Sequence, residues 1–576
     1  MQMPPDLTVE PNQRLTCDVV VVGGGGAGLR AALAASHAGA DVIVVNKGKV
    51  TSSGATAVGI ASHAGFAVPD GAADPTDNPD TFFDEVMDAG AGCADPNLVR
   101  TLAEDAVSAA EKLEALGVEF MSDPETGKTL VNQGDYANRA RNRKIFGHGK
   151  SITVGLKREL DVTDTRFLEH MTVADLTYDD NGRICGVLCL SHNNELIDIT
   201  AGAVVLATGG AGQLFGKSLM PTDIMGDGYG LGLKAGARLA NMEFVQCGFG
   251  LVGSIRGMVM PWTWWLDLKL TDREGRSILD GYVPAGKTEA DLFRDKARHY
   301  PFSTIDSSMW IEIAAKKALD EGRLTEDGLM DMDMTHVKHS DFEPGTIVSQ
   351  MWPSTKDWFA ERRVDVTQER VQVGLFGHAI NGGIVISPDG ETEIDGLFAV
   401  GEAAAGPYGA DRLGGHMLLT TQVFGERAGR RAAEIARVRS RKPGRPRAGP
   451  KFNEAGASVD EVHARIKATM DRDVLIVRSE ATLERASREM QNIRDEVSER
   501  GLAANTIKHQ HKAFSIENLI LSGQALVAAA AQRRETRGTH YREDFPHQDP
   551  NSARPIFVTN AETGPFAAFG SYKDKN

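Results

Sequence analysis

Three glycines near the start of the chain have the type and spacing that a phosphate-bearing cofactor requires. Gly23, Gly25 and Gly28 satisfy the pattern G-x-G-x-x-G. The first glycine permits a tight turn, the second lets the backbone approach a pyrophosphate, and the third lets a helix pack closely on a strand. A pyrophosphate there meets the free N–H groups and the positive dipole end of the helix. The pattern predicts a dinucleotide site, and a glycine-rich turn without a ligand is the alternative.

The elements around these glycines are the ones that such a site needs. An apolar run at 19–22 enters the turn, helical spacing covers 27–38, and a second apolar run follows at 42–45. This order predicts strand, turn, helix and strand. Asn46 and Lys47 occupy the place of the acidic residue that usually binds a ribose, which weakens a plain NAD interpretation.

Two more segments have the composition for close approach to a ligand. Residues 51–65, TSSGATAVGIASHAG, are small and polar, so a flat ring system could lie against their backbone, although a flexible loop is the alternative. Residues 203–210, AVVLATGG, have the pattern of a strand that runs into a second glycine turn. Both segments are candidates for the rest of the cofactor site.

Composition narrows the class of protein. The 576 residues suggest two to four domains. The net charge of −16 argues against a nucleic-acid binder. The five scattered cysteines show no metal or iron–sulfur spacing. No apolar run approaches the ~18 residues of a membrane span and no secretion signal pattern opens the chain, so we expect a soluble, cytoplasmic protein.

The rest of the chain divides into distinct regions. Residues 258–270 hold three tryptophans, which are core or interface aromatics in the ordinary interpretation. Strand character returns at 372–402, so the cofactor sheet is predicted to be interrupted and resumed. A basic, Pro- and Gly-rich linker at 437–451 precedes helical spacing at 458–531. The tail from 532 has little periodicity.

Several of these stretches together resemble one superfamily, the flavoprotein subunits of fumarate reductase, succinate dehydrogenase and L-aspartate oxidase. The matching stretches run in family order and are VVGGGGAGLRAAL, ATGG (207–210), GDGYGLGLKAGARLANMEFVQ (226–246), FRDKA (293–297), HAINGG (378–383), DGLFAVGEAA (395–404), GADRLGG (409–415) and RRETRGTHYREDFP (533–546). In these families a non-acidic residue before lysine is common, so Asn46-Lys47 is unexceptional.

The resemblance implies FAD as the cofactor. It also implies an α/β (α+β overall) fold, with a Rossmann-like FAD-binding domain interrupted by a capping domain and followed by a C-terminal helical domain. The implied boundaries are 1–240 and 356–438 for the FAD-binding domain, 241–355 for the capping domain, 439–452 for the linker, 453–545 for the helical domain and 546–576 for the tail. The implied FAD-binding residues are Gly23, Gly25, Gly26, Ala27, Gly28, Asn46, Lys47, Ser52, Ser53, Gly54, Ala207, Thr208, Gly209, Gly210, Asp227, Glu402, Arg412, Met417 and Leu418.

The resemblance also implies the reaction and its residues. The reaction is hydride transfer between the flavin and a substrate C–H, at the junction of the capping and FAD-binding domains. Arg294 of FRDKA matches the arginine that handles the proton, His378 matches a substrate-binding histidine, and Arg412 matches the arginine that clamps a substrate carboxylate. For all three, an ordinary salt-bridge or core role is the alternative.

Departures from the family pattern indicate a rebuilt substrate site. Ser53 stands near the place of the histidine that bonds the flavin in covalent relatives, so we expect non-covalent FAD. Cys247-Gly248-Phe249 replaces a segment that carries a second substrate histidine, and no glutamate matches the usual proton relay. We therefore expect an anionic substrate other than fumarate or succinate.

Two features resemble the adenylylsulfate reductase flavoprotein instead. SSGATAVG is similar to its flavin loop, and the tryptophan-rich run is similar to its substrate wall. On this basis Arg256 would contact the substrate, and Trp262, Trp264 and Trp265 would shape its pocket. Three hypotheses stay open: a stand-alone oxidoreductase, the flavin subunit of a complex with an iron–sulfur or other electron-transfer partner, and a non-catalytic flavin-binding protein. We expect the capping domain to move about hinges near residues 240 and 355.

Overall fold

The computed structural model describes residues 7, 10–59, 64–122, 127–259, 261–266, 268–338, 340, 342–343, 347–439, 441–447 and 449–573. The α-helices in these residues are α1 (Gly26–His37), α2 (Gly54–Val58), α3 (Pro79–Ala89), α4 (Pro96–Ala115), α5 (His148–Leu160), α6 (Asp227–Ala235), α7 (Glu289–Lys296), α8 (Met309–Asp320), α9 (Ile347–Ala360), α10 (His416–Val438), α11 (Val459–Asp473), α12 (Glu480–Arg500) and α13 (Ile507–Gln532). The strands are β1 (Gln13–Val22), β2 (Val42–Asn46), β3 (Ala64–Ala67), β4 (Val131–Gln133), β5 (Ala140–Ile145), β6 (Arg166–Glu169), β7 (Thr172–Tyr178), β8 (Ile184–Leu190), β9 (Leu196–Leu206), β10 (Leu239–Ala240), β11 (Val245–Leu251), β12 (Gly257–Met258), β13 (Lys269–Thr271), β14 (Met330–Asp333), β15 (Val371–Ile380), β16 (Gly383–Ile384), β17 (Leu397–Ala399), β18 (Arg445–Pro446), β19 (Phe452–Ser458), β20 (Val477–Arg478), β21 (Leu502–Ala503), β22 (Tyr541–Arg542), β23 (Ile556–Ala561) and β24 (Gly564–Phe569).

The largest sheet is the scaffold of the cofactor site. Its strands run in the order β18-β7-β8-β9-β1-β2-β6, and β17 also pairs with β9. The β6, β2, β1, β9 and β17 strands are parallel, whereas β7 and β8 form an antiparallel meander with β9. The four valines that end β1 are all buried, as expected for a strand covered on both faces. The predicted strand, turn, helix and strand at 19–45 is thus confirmed as β1, α1 and β2.

Two glycines join the early and late parts of this layer. A Cβ on Gly425 of α10 would lie 2.7 Å from the backbone oxygen of Ala27, and one on Gly429 would lie 2.1 Å from that of Ala31. Helices α1 and α10 therefore pack with their backbones in contact, which larger side chains would prevent. Because β17 and α10 return to β9 and α1, the sheet is interrupted and resumed, as predicted.

A separate five-stranded sheet forms the core of the inserted unit, which is the part of the chain from β11 to β15 (residues 245–380). Its order is β12-β11-β15-β14-β13, and β11 pairs antiparallel with β15 over most of its length. The Trp264 ring is buried between Phe249 and Phe293, with ring centroids 5.3 and 5.8 Å away. The predicted boundary near residue 355 falls within α9, and the last strand of this sheet extends to Ile380.

The C-terminal region consists of α11, α12 and α13, followed by the β23–β24 hairpin. Strand β23 of this hairpin pairs antiparallel with β10, the short strand that precedes the inserted unit in the chain. By length and composition α13 could cross a membrane, but most of its apolar stretch is buried inside the protein. Part of the predicted linker joins the main sheet, because β18 pairs with β7 at the edge of that sheet.

Buried arginines tie this region to the start of β11. Arg533 forms an ion pair with Glu243 at 2.8 Å, and Arg478 donates to the backbone oxygen of the same glutamate at 2.8 Å. All three side chains are fully buried. A buried ion pair with both partners hydrogen-bonded costs much more to break than a surface pair. The chain just before β11 is therefore anchored where the hinge near residue 240 was predicted.

Candidate functional site

One continuous cavity of about 410 Å³ extends from the glycine turn to the inner face of the inserted unit. The carboxyl ends of β1, β2 and β9 border it at one end, and residues 297, 298, 300 and 301 of the inserted unit border it at the other. The carboxyl ends of parallel strands are where ligands bind in open α/β sheets. The cavity thus borders the glycine turn for which the sequence predicted a cofactor.

The three glycines of the turn have three different environments. A Cβ on Gly23, which has φ +112°, would lie 2.3 Å from the backbone oxygen of Ala207. A Cβ on Gly28 would lie 1.9 Å from the backbone oxygen of Gly23, so helix and strand could not pack. Nothing lies within 4 Å of a Cβ on Gly25, which precedes α1 and lines the cavity. Gly25 is therefore the glycine that leaves room for a pyrophosphate.

Replacement of Gly25 by alanine is expected to weaken FAD binding about tenfold without unfolding the protein. Gly25 has φ −80°, which alanine adopts without strain, and the added methyl group would enter the cavity rather than the core. The dissociation constant for FAD and the melting temperature of the apoprotein measure the two effects. The matched variant Gly28→Ala should lower the melting temperature instead, and equal loss of stability in both variants would contradict this assignment.

Asn46 supports the turn instead of facing the cavity with free polar atoms. Its Oδ1 accepts a hydrogen bond from the backbone N–H of Gly24 at 2.9 Å, and its Nδ2 donates to Gly48 O and Ser53 Oγ at 3.0 and 3.1 Å. Lys47 forms an ion pair with Asp227 at 2.5 Å. Asn46, which stands where an acidic residue usually binds the ribose, therefore holds the glycine turn and the loop at 48–53 together.

The remaining walls present polar atoms that lack a protein partner. Thr208 Oγ1 and Asp227 Oδ1 are buried, line the cavity and have no hydrogen-bond partner among the described residues. Buried polar groups are nearly always paired, so unpaired atoms in a cavity indicate a ligand. Burial raises the pKa of Glu402 to about 7, although its Oε1 accepts from the backbone N–H of Ile380 at 3.3 Å. These residues fit a dinucleotide such as FAD.

Most of the predicted FAD-binding residues lie in the cavity wall. The wall includes Gly23, Gly25, Gly26, Ala27, Asn46, Lys47, Gly54, Ala207, Thr208, Gly209, Asp227, Glu402, Arg412, Met417 and Leu418. Gly28, Ser52, Ser53 and Gly210 are not part of it. Ser53 binds Asn46, and Gly210 makes room for Glu402, whose Oε1 would lie 2.4 Å from a Cβ on the glycine.

Arg412 and His378 lie together at the end of the cavity nearest the inserted unit. Nε and Nη2 of Arg412 donate to Gln246 Oε1 at 3.2 and 2.9 Å. No carboxylate among the described residues lies within ion-pair distance of Arg412. Burial, followed by the Arg412 charge, lowers the pKa of His378 to about 3, so this imidazole is neutral near pH 7. Its Nδ1 has no partner in the described chain.

The structure does not bring Arg294 to the cavity. Phe293 and Lys296 are buried side chains of α7, and Arg294, one residue after Phe293, points away from them. Its side chain is 57% exposed and forms an ion pair with Asp291 at 2.8 Å. Arg298, in the turn after α7, is also exposed, but it lines the cavity and forms no ion pair with a described residue. In this structure the arginine that FRDKA implies for proton handling therefore lies outside the cavity wall.

Of the three tryptophans predicted to form the substrate wall, only the side chain of Trp264 is described, and it does not lie at the cavity. Trp264 is enclosed in the core of the inserted unit, in agreement with the alternative interpretation, and does not line the cavity. The side chains of Trp262 and Trp265 lie outside the described part of the structure. Arg256 is exposed, and its Nη2 donates a hydrogen bond to Ser218 O at 2.8 Å. Arg256 does not line the cavity. An apolar stretch predicts burial, but it does not tell which buried surface it joins.

Several residues of this end of the cavity carry no signal in the sequence. Gln133 and Asp135 lie at and just after the end of β4, and Tyr300 and Pro301 follow Arg298. These residues belong to no recognisable motif. A polar cluster within NQGD is the only hint, and it is too short to be specific.

Asp411, beside Arg412, is predicted to make stability depend on pH. It is buried, accepts from Ser303 Oγ at 2.8 Å and faces His299 and Asp306, and its burial raises its pKa from 3.8 to about 7. A raised pKa means that the protonated folded form is favoured at low pH, and this contribution is lost as pH rises from about 4 to about 7. Asp411→Asn should therefore raise the melting temperature more at pH 8 than at pH 5. Glu402 is present in both proteins, so the difference isolates Asp411, and equal gains at both pH values would contradict the prediction.

Comparison with known protein families supports the assignment of the cavity as an FAD site. The family model described as FAD binding domain matches residues 18–257 and 331–418, and the model described as Fumarate reductase flavoprotein C-term matches 463–563. Among the described residues there is no group of three or more His, Cys, Asp or Glu side chains suited to a metal ion. Fold, cavity and matched models define an FAD-dependent oxidoreductase.

Relatives along the whole chain specify the family. The chain is 30% identical to one of the subunits of fumarate reductase (CoM/CoB) from Methanothermobacter marburgensis, covering 94% of this chain and 97% of the relative. It is also 30% identical to L-aspartate oxidase of Streptomyces coelicolor, covering 94% and 91%. The solved Mycobacterium smegmatis Sdh1 in complex with UQ1 has a TM-score of 0.82 at 26% identity, covering 97% and 94%. Adenylylsulfate reductase of Archaeoglobus fulgidus shares the fold, with a TM-score of 0.74 at 18% identity over 99% of this chain and 97% of that one. The chain belongs to the fumarate reductase, succinate dehydrogenase and L-aspartate oxidase flavoprotein family.

Proposed function

We propose that this oxidoreductase transfers a hydride between FAD and a C–H or C=C of a small organic anion. The observation that carries the proposal is Arg412, a partly buried guanidinium at one end of the cavity with no carboxylate partner in the described chain, and the exposed Arg298 lines the same cavity. Unpaired cations beside a buried site favour an anionic ligand, and a guanidinium fork matches a carboxylate in geometry.

The chain's own residues account for binding and orientation. Bound FAD would supply the hydride donor or acceptor, since the flavin exchanges two electrons with carbon. Gln246 holds two nitrogens of Arg412 and so fixes the plane of its guanidinium. His378 is neutral near pH 7 and offers a hydrogen bond without adding charge. Arg298, from the inserted unit, adds a second positive charge to the wall of the cavity.

The inserted unit also limits the access of water. Tyr300 and Pro301 line the cavity beside Arg298, and Met258 lines it from β12. Tyr136, on the cofactor side, donates to Pro301 O at 2.9 Å, so the two sides are in contact in this conformation. Charge interactions strengthen as water leaves a site, so closing of the inserted unit would support both binding and hydride transfer.

We further propose that fumarate and succinate are not the natural substrates. Gly248 stands in the segment where the family pattern has a substrate histidine, and the aromatic Tyr300 ring packs against it. The wall next to His378 is therefore more aromatic than a site for a four-carbon dicarboxylate would require. This proposal is independent of the cofactor assignment.

The test is reoxidation of the reduced flavin. The purified protein would be photoreduced without oxygen and then mixed with organic acids, sulfonates and nucleotide-linked anions, with absorbance followed near 450 nm. Rapid return of the oxidised spectrum with one anion supports the proposal, and rapid return with fumarate would contradict the exclusion of that substrate. A protein that shows no flavin band even after reconstitution with FAD would overturn the whole assignment.

A second candidate function is the flavin component of an electron-transfer complex. The relative from Methanothermobacter marburgensis is named as one subunit of its enzyme, and the C-terminal helices match a fumarate reductase flavoprotein model. We propose that the partner is an iron–sulfur or other electron-transfer protein. Purification from the native source would test this: co-purification with a protein that carries iron and acid-labile sulfide supports it, and isolation of the active chain alone contradicts it.

A further inference from the structure

Tyr300 occupies space that exists only because residue 248 is glycine. A Cβ on Gly248 would lie 2.9 Å from Cζ of the Tyr300 ring and 3.2 Å from its hydroxyl oxygen. Gly248 belongs to β11, and Tyr300 follows α7, so two segments 52 residues apart meet here. Any larger residue at 248 would displace the ring. The position of the Tyr300 ring at the cavity wall thus depends on glycine at position 248.

The hydroxyl group of Tyr300 has no partner in the described chain. Its ring is almost fully buried, it lines the cavity, and it meets His378 edge to face with centroids 6.1 Å apart. A buried tyrosine hydroxyl usually finds a hydrogen bond, and leaving one unpaired costs about 1–3 kcal/mol. An unpaired hydroxyl at the cavity wall beside His378 therefore indicates a place where a ligand could accept a hydrogen bond.

The backbone on both sides of this ring is held in place. Asp135 Oδ1 accepts from the Tyr300 N–H at 2.8 Å, and Lys296 Nζ donates to the Tyr300 carbonyl oxygen at 2.8 Å. Lys296 is itself buried and paired with Glu312. A hydroxyl on so fixed a backbone loses little entropy when it binds, which is a property of a preorganised contact.

We propose that Tyr300 is a substrate-binding residue whose hydroxyl donates a hydrogen bond to an oxygen of the bound anion, beside His378. The inference rests on the proposed function, since it assigns a contact within the same anion site. The ligand chemistry is a carboxylate or carbonyl oxygen that accepts a neutral donor while Arg412 and Arg298 balance its charge. Burial raises the pKa of Tyr300 well above its usual range, so the phenol keeps its proton and acts as a donor.

The experiment compares two tyrosines whose buried hydroxyls both lack a partner in the described chain. Tyr300→Phe removes the hydroxyl in the cavity, and Tyr178→Phe removes one at the end of β7, outside the cavity wall. The FAD-loaded unsubstituted protein and both variants would be titrated with fumarate, malonate and oxalate, and the change in the flavin spectrum would give the dissociation constants. We expect Tyr300→Phe to weaken binding of the responding anion about ten- to hundredfold. We expect Tyr178→Phe to match the unsubstituted protein.

A second variant, Gly248→Ala, tests whether the effect of Tyr300→Phe comes from the position of the hydroxyl rather than from the substituted side chain. Gly248→Ala should displace the Tyr300 ring and weaken binding to a similar extent, with the Tyr300 side chain still present. Equal affinities of the unsubstituted protein and Tyr300→Phe would overturn the inference alone. Absence of any spectral response in the unsubstituted protein to these anions, together with no reoxidation of the reduced flavin by any anion of the wider screen, would overturn both the inference and the proposed function.

Discussion

Replacement of Arg298 by alanine is expected to lower kcat/KM about a hundredfold for the anion that reoxidises the flavin fastest. Arg298 lies at the cavity wall without an ion-pair partner in the described chain, and removing one charge-assisted hydrogen bond to a substrate costs roughly 1.5–3 kcal/mol. FAD content should not change, because the glycine turn that would hold the pyrophosphate is at the other end of the cavity. Steady-state kinetics and the flavin-to-protein ratio measure these two quantities.

Arg294→Ala is the matched control for this prediction. Arg294 is four residues earlier, is also an arginine of the inserted unit, and forms only an exposed ion pair with Asp291. Exposed pairs contribute little, so we expect less than about a twofold change in kcat/KM and a melting temperature within a degree or two. If Arg294→Ala abolished turnover and Arg298→Ala did not, the family match of FRDKA would be right, and α7 would have to turn its other face to the cavity during catalysis.

The contrast between these arginines shows where sequence reasoning succeeds and where it does not. The glycine turn could be predicted because its chemistry is local: Gly23, Gly25 and Gly28 lie within six residues, and their spacing alone selects a strand, a turn and a helix. FRDKA is also local, but neighbouring residues of a helix point to different faces. Which face of α7 turns inward depends on Phe293 meeting Trp264, a contact that no motif encodes.

The rebuilt wall of the anion site is harder still to predict. Sequence comparison showed that Gly248 departs from the family pattern, but it could not show what fills the space. The answer lies in Tyr300, 52 residues later, and depends on the backbone contacts from Asp135 and Lys296. Aromatic content alone indicates burial and not which surface is covered: Trp264 of the tryptophan-rich run is buried in the core of the inserted unit rather than at the cavity.

Interruption of the sheet could be predicted in outline but not in its bounds. Strand-like composition at 372–402 indicated that the cofactor layer resumes. The first strand in this range, β15, belongs to the sheet of the inserted unit. Among the strands of this range, β17 is the one that pairs with β9 in the main sheet. Both strands are apolar, so composition cannot tell them apart. Pairing partners decide which layer a strand joins, and these partners are distant in the sequence.

Replacement of Arg412 should have the largest effect of any single change at the site. Arg412→Ala removes the cation that lies beside His378 and is oriented by Gln246, so we expect kcat/KM to fall about a thousandfold or more, since a bidentate charge-assisted contact is lost. Arg412→Lys keeps the charge but not the planar fork, and lysine does not reproduce bidentate recognition, so about a hundredfold loss should remain. Anion titration of the oxidised flavin and steady-state kinetics measure both variants.

The two Arg412 variants also separate charge from geometry. Because Arg412 lines the same cavity as the FAD-binding residues, the flavin-to-protein ratio must be measured for each variant before its kinetics are compared. Loss of the Arg412 charge should also raise the pKa of His378, whose depression depends in part on that charge. The pH at which activity is lost on the acid side should then move upward in Arg412→Ala and stay in place in Arg412→Lys. An identical pH profile in both variants, with turnover retained, would show that the anion binds elsewhere in the cavity.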